Sequence, residues 1–132
     1  MKRVSLLVLS CVLVFLSLYA QNQNEAPEPP APVFKFEKEE VNFGNIPYGA
    51  PVTTEFEFRN IGKQPLVIKD VRRNCNCTSV SFPREPIMPN KTGVIKAEYD
   101  ASEEGVFNKK LTVLANTQEG MHALRIKGTV VR

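Results

Sequence analysis

The sequence has little of what most catalytic or nucleic-acid-binding proteins need. Its 132 residues include no tryptophan, one histidine (His122) and three cysteines. Because no motif spacing connects this lone histidine to a serine, cysteine or aspartate, no catalytic triad or Cys–His pair is predicted. Charge of one sign is not in large excess either, since 17 lysines and arginines face 14 acidic residues. We therefore expect no nucleic-acid partner, which would need clustered positive charge.

The longest apolar run, Val4 to Leu18, has the layout of a secretory signal peptide. Lys2 and Arg3 precede the run, and a small residue, Ala20, follows it before a polar stretch. Such a layout predicts that residues 1–20 are removed by cleavage after Ala20. The run is also shorter than the roughly 20 apolar residues that span a bilayer as a helix. We therefore expect export to the periplasm or cell surface, with no stable membrane insertion after cleavage.

Cys11 provides an alternative to simple cleavage. The stretch Leu9-Ser10-Cys11 faintly resembles the site at which a bacterial lipoprotein is cut and acylated. However, the apolar run continues beyond Cys11 to Leu18, so the cysteine lies in the middle of the run rather than at its end. This position favours cleavage after Ala20 over lipid anchoring, and an uncleaved signal that anchors the chain is a further alternative.

The rest of the chain divides into two segments of different composition. Residues 21–32 are rich in proline and polar side chains, which predicts a disordered, extended tether. From residue 33 onward, apolar and polar residues alternate with period two between turn signals such as residues 60–65. Residues 33–132 are therefore predicted to be all-β, an immunoglobulin-like antiparallel sandwich of about seven to eight strands. The predicted core comprises Phe36, Phe43, Phe56, Phe58, Ile68, Ile95, Tyr99, Leu111, Val113, Leu124 and Ile126.

This domain contains a set of short motifs in a specific order and spacing. They are Asn42-Phe43-Gly44-Asn45-Ile46, Gly49, Val52, Phe56-Glu57-Phe58-Arg59-Asn60-Ile61-Gly62, Pro65-Leu66-Val67-Ile68, Cys75-Asn76-Cys77-Thr78, Pro86-Ile87-Met88-Pro89 and Gly93. Over nearly all of residues 36–131 the chain thereby resembles the bacterial secreted family catalogued as domain of unknown function 1573. That family is in turn similar to immunoglobulin-like domains of the ASH, Hydin and major sperm protein type. The resemblance implies the fold and export but no established reaction.

Two asparagines stand where this family usually has glycine. They are Asn76, in place of the glycine of Cys-Gly-Cys-Thr, and Asn90, in place of the glycine of Pro-Gly. Asparagine is the residue after glycine that best tolerates a positive φ angle. We therefore expect a left-handed backbone at both positions and a tight bend at Asn76.

The pair Cys75 and Cys77 is the main candidate site, with Asn76, Thr78, Arg72 and Arg73 as its supporting residues. In a straight strand the two Cα atoms would lie about 6.5 Å apart, near the upper limit for a disulfide. A bend would bring them closer, and so small a ring would add little stability and be comparatively easy to reduce. The arginines place positive charge beside the sulfurs, which favours a thiolate.

Four interpretations of this cysteine pair stay open at the level of sequence. In the first, the sulfurs are structural, either as small buried groups or as a bend-locking disulfide. In the second they form a redox-active dithiol, in the third they bind copper(I) or zinc, and in the fourth they link two chains.

The other candidate groups are weaker. His122 and Met121 could complete a metal site, and Glu37, Glu39 and Glu40 could pair as carboxylates, but no convergent cluster or pocket signature supports either.

The sequence therefore favours an exported, non-enzymatic interaction or structural domain that needs no cofactor. Its expected partners are proteins of unidentified nature, and the domain either pairs an exposed strand edge with a partner chain or serves as a spacer in surface assemblies. Lys35, Lys38, Lys109 and Lys110 would then be protection of such edges against aggregation. The alternative function is a periplasmic thiol-redox or copper- or zinc-handling protein that uses Cys75 and Cys77.

Overall fold

The computed structural model describes residue 27 and residues 29–132. The predicted signal peptide, Cys11 and most of the predicted tether lie outside this part. No helix among the described residues is long and apolar enough to cross a membrane. The strands found there are β1 (Phe34–Phe36), β2 (Glu40–Pro47), β3 (Val52–Asn60), β4 (Ile68–Arg73), β5 (Thr78–Ser81), β6 (Thr92–Tyr99), β7 (Gly105–Ala115) and β8 (Met121–Val131).

These strands form a sandwich of two four-stranded sheets, which confirms the predicted fold class. The first sheet has the order β1-β3-β6-β5 and the second the order β2-β8-β7-β4. The expectation that both sheets are purely antiparallel is wrong for the second, because β2 runs parallel to β8. The chain enters the second sheet just before β2 and leaves it again after β2, so no hairpin forces an antiparallel direction. Alternation in the sequence specifies the face of a side chain, and it carries no information on strand direction.

Strand β3 shows how the alternating sequence builds the core. Its side chains alternate between the two faces of the sheet, and Phe56 and Phe58 are completely buried. Burying one such side chain contributes about 1.5–3 kcal/mol. All of the predicted core residues are buried except Phe36 and Phe43, which are half-buried and pack against the core. Both belong to β1 and β2, which are the outermost strands of their sheets in the described part of the chain.

A buried asparagine organises the turn after β3, which the sequence identified only as a turn. Asn60 is 0% exposed. Its Nδ2 donates hydrogen bonds to the carbonyl oxygens of Gln64 at 2.7 Å and Ile87 at 2.9 Å. Its Oδ1 accepts from the backbone N–H of Gly62 at 3.0 Å and, more distantly, of Val33 at 3.4 Å. One side chain therefore ties together three separate segments of backbone.

The prediction of a left-handed backbone is confirmed at Asn90 and wrong at Asn76. Asn90 has a φ of 64°. Among the described residues, the only other non-glycine residue with a positive φ is Ala101. The chain does bend at Asn76, which lies in a turn, but without a positive φ at that residue. Replacement of glycine by asparagine is thus compatible with a positive φ without requiring one.

Candidate functional site

The candidate site lies where the chain passes from the second sheet to the first. Strand β4 ends at Arg73, and residues 74–77 form the turn that leads to Thr78, the first residue of β5. Buried residues hold both ends of this turn, because Val71 is 5% exposed and Thr78 is 1% exposed. The turn is therefore anchored in both sheets while its own tip faces solvent.

Within this turn the structure brings the two predicted cysteines together. Cys75 and Cys77 form a disulfide, and their Cα atoms are 5.3 Å apart. This separation is shorter than the straight-strand spacing and falls within the usual range for a disulfide. Both residues are half-buried, and Cys77 packs against the hydrophobic core. In this oxidised state neither sulfur is a thiolate that could bind a metal ion, and neither is bonded to another chain.

The buried side chain of Thr78 contacts both sulfurs of the disulfide. Its Oγ1 lies 3.8 Å from the Cys75 sulfur and 3.9 Å from the Cys77 sulfur. Because disulfide sulfurs carry no hydrogen, the threonine hydroxyl is the donor in these long contacts. The carbonyl oxygen of Cys77 accepts a hydrogen bond from the backbone N–H of Asp100 at 3.0 Å, which connects the turn to the end of β6. The position of the disulfide is thus fixed by backbone as well as by side chains.

The solvent side of the disulfide is open and carries positive charge. A shallow depression of about 590 Å³ runs along the end of β4. Arg72 and Arg73, which the sequence predicts to support the site, are both exposed there. Arg72 makes one long contact, of 4.0 Å, with Asp70. A small thiol reagent or an exposed partner cysteine could therefore approach Cys75. The depression is lined by Asp70, Val71, Arg72, Arg73, Asn74, Cys75 and Asn76.

The other candidate residues do not join this site. His122 makes its contacts within the β7–β8 hairpin, with Thr117 Oγ1 at 2.8 Å and Glu119 Oε2 at 3.6 Å, and its ring packs on Phe34 at 4.7 Å between centroids. Met121 is exposed at the start of β8. Within residues 29–132, no group of three or more His, Cys, Asp or Glu side chains is arranged to hold a metal ion.

The three acidic candidates do not form a common site. Glu37, Glu39 and Glu40 are all exposed. Glu40 forms an ion pair with Lys127 on the neighbouring strand β8. The backbone carbonyl of Glu39 accepts a hydrogen bond from the N–H of Arg125 at 2.9 Å. Glu39 and Glu40 therefore help to hold β2 to β8 on a solvated face, whereas the backbone N–H of Glu37 donates to the carbonyl oxygen of Glu57 on β3 at 3.0 Å.

A second candidate site, which the sequence does not identify, is the first half of strand β7. Strand β4 pairs with β7 only from Leu111 to Ala115. The preceding residues, Gly105–Lys110, pair with β8 on one side, and no strand of residues 29–132 pairs with them on the other. We call this six-residue segment the open edge. In the described part of the chain no turn or loop donates a backbone hydrogen bond to it.

The open edge begins where the disulfide turn takes the chain away from the second sheet. Had β4 continued beyond Arg73, it would have covered this segment. The signal in the sequence is the pair Lys109 and Lys110, which was interpreted as edge protection, and both do lie on the open edge. Lys109 points toward the core face, with its Nζ 5.9 Å from the centre of the Tyr99 ring. An inward-pointing charge at a sheet edge is a common device against uncontrolled strand pairing.

Comparison with known proteins identifies the family. The model of a family described as a protein of unknown function, DUF1573, matches residues 34–130. The chain belongs to the DUF1573 family. No curated protein matches the chain.

Solved structures similar to this DUF1573 chain share its fold at low sequence identity. A protein of unknown function from Porphyromonas gingivalis W83 superposes with a TM-score of 0.69 at 17% identity, covering 82% of this chain and 51% of that one. The ASH/PapD-like domain 7 of human CEP192 has a TM-score of 0.64 at 11% identity, over 83% of this chain and 92% of that one. The YadV chaperone has a TM-score of 0.50 at 16% identity, over 74% and 50%. This chain therefore spans about half the length of the P. gingivalis protein.

Proposed function

We propose that this DUF1573 chain is an exported domain that binds a protein partner and catalyses no reaction. Binding takes place by strand addition, in which an extended segment of the partner pairs with the open edge. The observation that carries this proposal is that Gly105–Lys110 is paired on one side only. Every second residue of such a segment directs its backbone N–H and C=O outward, and an added strand satisfies these groups.

The exposure of the open edge supports this function. Val106, in the middle of a regular strand, is 86% exposed. An apolar, β-branched side chain of this kind favours packing beside a neighbouring strand over contact with water. The similarity to an ASH/PapD-like domain and to a chaperone is consistent with an interaction role. Export rests on the signal-like residues 1–20 and is part of the proposal.

Site-specific crosslinking tests the proposal. A photoreactive amino acid is placed at Val106 and, as a matched control, at Val94, which is 38% exposed on the outer face of the other sheet. We expect a partner to crosslink from Val106 and not from Val94 when the full chain is produced in its exporting cell. The crosslinked protein is then purified and its effect on amide hydrogen exchange is measured. Slowed exchange confined to Gly105–Lys110 supports strand addition, whereas protection elsewhere or equal crosslinking at both sites contradicts it.

The open disulfide favours a second candidate function, thiol–disulfide exchange. In this reaction a thiolate of a partner dithiol attacks one sulfur of the Cys75–Cys77 bond and forms a mixed disulfide, which the partner's second thiol resolves. Two electrons and two protons pass from the partner to this chain, leaving two cysteine thiols here and a disulfide in the partner. The half-buried but accessible position of the sulfurs beside Arg72 and Arg73 supports this candidate.

Equilibration with glutathione tests the second candidate. The folded chain is incubated at a series of glutathione ratios, and its free thiols are alkylated and counted by mass spectrometry. A redox function requires that Cys75 and Cys77 be reduced within the range of an extracytoplasmic compartment, about −180 to −210 mV for an oxidising lumen. If the bond remains oxidised when the ratio is far more reducing, the disulfide is structural.

A further inference from the structure

The charges around the open edge specify what kind of segment can bind there. The outer face of the second sheet, the face turned away from the core, carries basic side chains on adjacent strands. Lys110 of β7 lies directly opposite Arg125 of β8. Like charges directly opposite each other on one face are unfavourable. On its other side Arg125 lies opposite Glu40 of β2, which forms its ion pair with Lys127 instead. Among the ion pairs of the described residues, neither Lys110 nor Arg125 has an acidic partner within 4.0 Å.

A third basic residue lies in line with the open edge. Arg72 of β4 is opposite Thr112 of β7, so it is on the same outer face as Lys110. Its side chain is 69% exposed. A strand that continues the line of β4 would place a residue opposite Lys110, about 6.6 Å along from Arg72 at two residues of strand rise. The side chain of that residue would lie beside Lys110 on the neighbouring strand, and Arg72 would lie two residues earlier along its own strand line.

The other end of the open edge is apolar on the same face. Val106 lies four residues before Lys110 and is exposed to solvent. Side chains two and four residues apart in a strand share a face. A partner strand antiparallel to β7 would therefore present one side chain to Lys110 and, four residues later, another side chain to Val106.

We infer that the open edge recognises an extended acidic segment, in which an aspartate or glutamate faces Lys110 and an apolar residue four positions later faces Val106. This inference rests on the proposed function, since it assumes strand addition and assigns the chemistry of the added strand. The acidic residue relieves the unpaired charge of Lys110 and Arg125, and the apolar residue covers Val106. A partner with a basic residue opposite Lys110 is disfavoured by the same charges.

Peptide titrations followed by amide NMR shifts of the full mature chain test both levels of the proposal. The probe is a seven-residue blocked peptide of threonines with aspartate at its second position and valine at its sixth. One control peptide has lysine in place of the aspartate, and another has prolines at alternate central positions, which removes donors that strand pairing needs. We expect the aspartate probe to shift the amides of Gly105–Lys110 and to bind about fivefold more tightly than the lysine control. The difference should shrink at high salt.

Two variants check that Lys110 is responsible. Lys110→Glu should reverse the preference between the aspartate and lysine peptides, whereas Lys63→Glu, the same change at an exposed turn residue far from the open edge in sequence, should not. Equal binding of the two peptides with shifts at Gly105–Lys110 overturns the charge preference and leaves strand addition standing. Shifts that persist with the proline peptide, or that fall elsewhere, overturn strand addition itself. Concentration-dependent shifts of these amides without peptide, together with a dimer mass, would instead assign the edge to a second copy of the chain.

Discussion

Replacement of Asn60 by alanine should be among the most damaging changes to a polar residue in this domain. The side chain is 0% exposed and makes three hydrogen bonds of 2.7, 2.9 and 3.0 Å to backbone groups. A hydrogen bond of this kind contributes about 1 kcal/mol net, and leaving its buried partner unsatisfied costs at least as much. We therefore expect Asn60→Ala to lower the free energy of unfolding by about 3 kcal/mol. That is a large part of the roughly 5–15 kcal/mol that stabilises a typical domain.

Urea unfolding followed by far-ultraviolet circular dichroism measures this loss. The slope of the free energy against urea should not change, because the surface exposed on unfolding is nearly the same. Asn108→Ala is the matched control, since Asn108 is exposed on β7 and should change stability by no more than about 0.5 kcal/mol. A loss below about 1 kcal/mol for Asn60→Ala would refute the reasoning that this side chain organises the turn.

Asn60→Asp separates the donors from the acceptor at the same position. The introduced carboxylate can still accept from the N–H of Gly62, but it faces the carbonyl oxygens of Gln64 and Ile87. Burial and these carbonyls favour the protonated acid, so its folded pKa should be raised above its unfolded value. The deficit relative to the native chain should therefore be largest at neutral pH and shrink as the pH falls through the folded pKa. A deficit that is independent of pH would contradict this account.

Three further predictions concern the disulfide, a tyrosine and a glycine. The double change Cys75→Ser and Cys77→Ser should lower the free energy of unfolding by at most about 2 kcal/mol, because the closed ring is so short; a larger loss in urea unfolding would assign the bond a major structural role. Burial and two nearby carboxylates raise the pKa of Tyr99 above its ordinary 10.0, so the unfolded chain loses this proton first and stability should fall as the pH rises above 10.0. Absorbance titration of the tyrosines at 295 nm, with Tyr99→Phe as control, checks the assignment. Gly128→Ala should lower the melting temperature by several degrees, since its new Cβ would lie 2.8 Å from both the backbone carbonyl oxygen of Gly44 and the Phe107 ring; an unchanged melting temperature would mean that the backbone at Gly44 and the ring both yield at little cost.

The alternation of residues predicted the faces of the strands because burial acts on each residue locally. Phe56 and Phe58 had to share a face once β3 was recognised, and both are in the core. The turn that holds Cys75 and Cys77 was also predicted, since the end of one alternating stretch and the start of the next enclose it. The prediction of a positive φ at Asn76 was wrong because asparagine permits a positive φ without imposing it.

Features that depend on contacts between distant segments could not be predicted from the sequence. The four hydrogen bonds of Asn60 reach backbone groups as far away as Ile87 and Val33, and composition alone assigned it to a turn. The parallel direction of β2 and the open edge on β7 follow from which strands become neighbours. Pairing of strands is decided by the packing of the whole domain, so a pattern read along one strand cannot reveal it.

The parallel pairing of β2 with β8 bears on when the chain can fold. Within the described residues, Glu40–Pro47 pair with one strand segment, Arg125–Val131, which lies about 80 residues further along the sequence. Since a chain emerges from the ribosome N-terminus first, β2 cannot pair until β8 has been synthesised. Such distant pairing slows folding, because a long loop must close before any contact compensates for the lost entropy. Under the export proposed above, this delay would favour crossing the membrane unfolded, with the sandwich closing only after β8 has passed through.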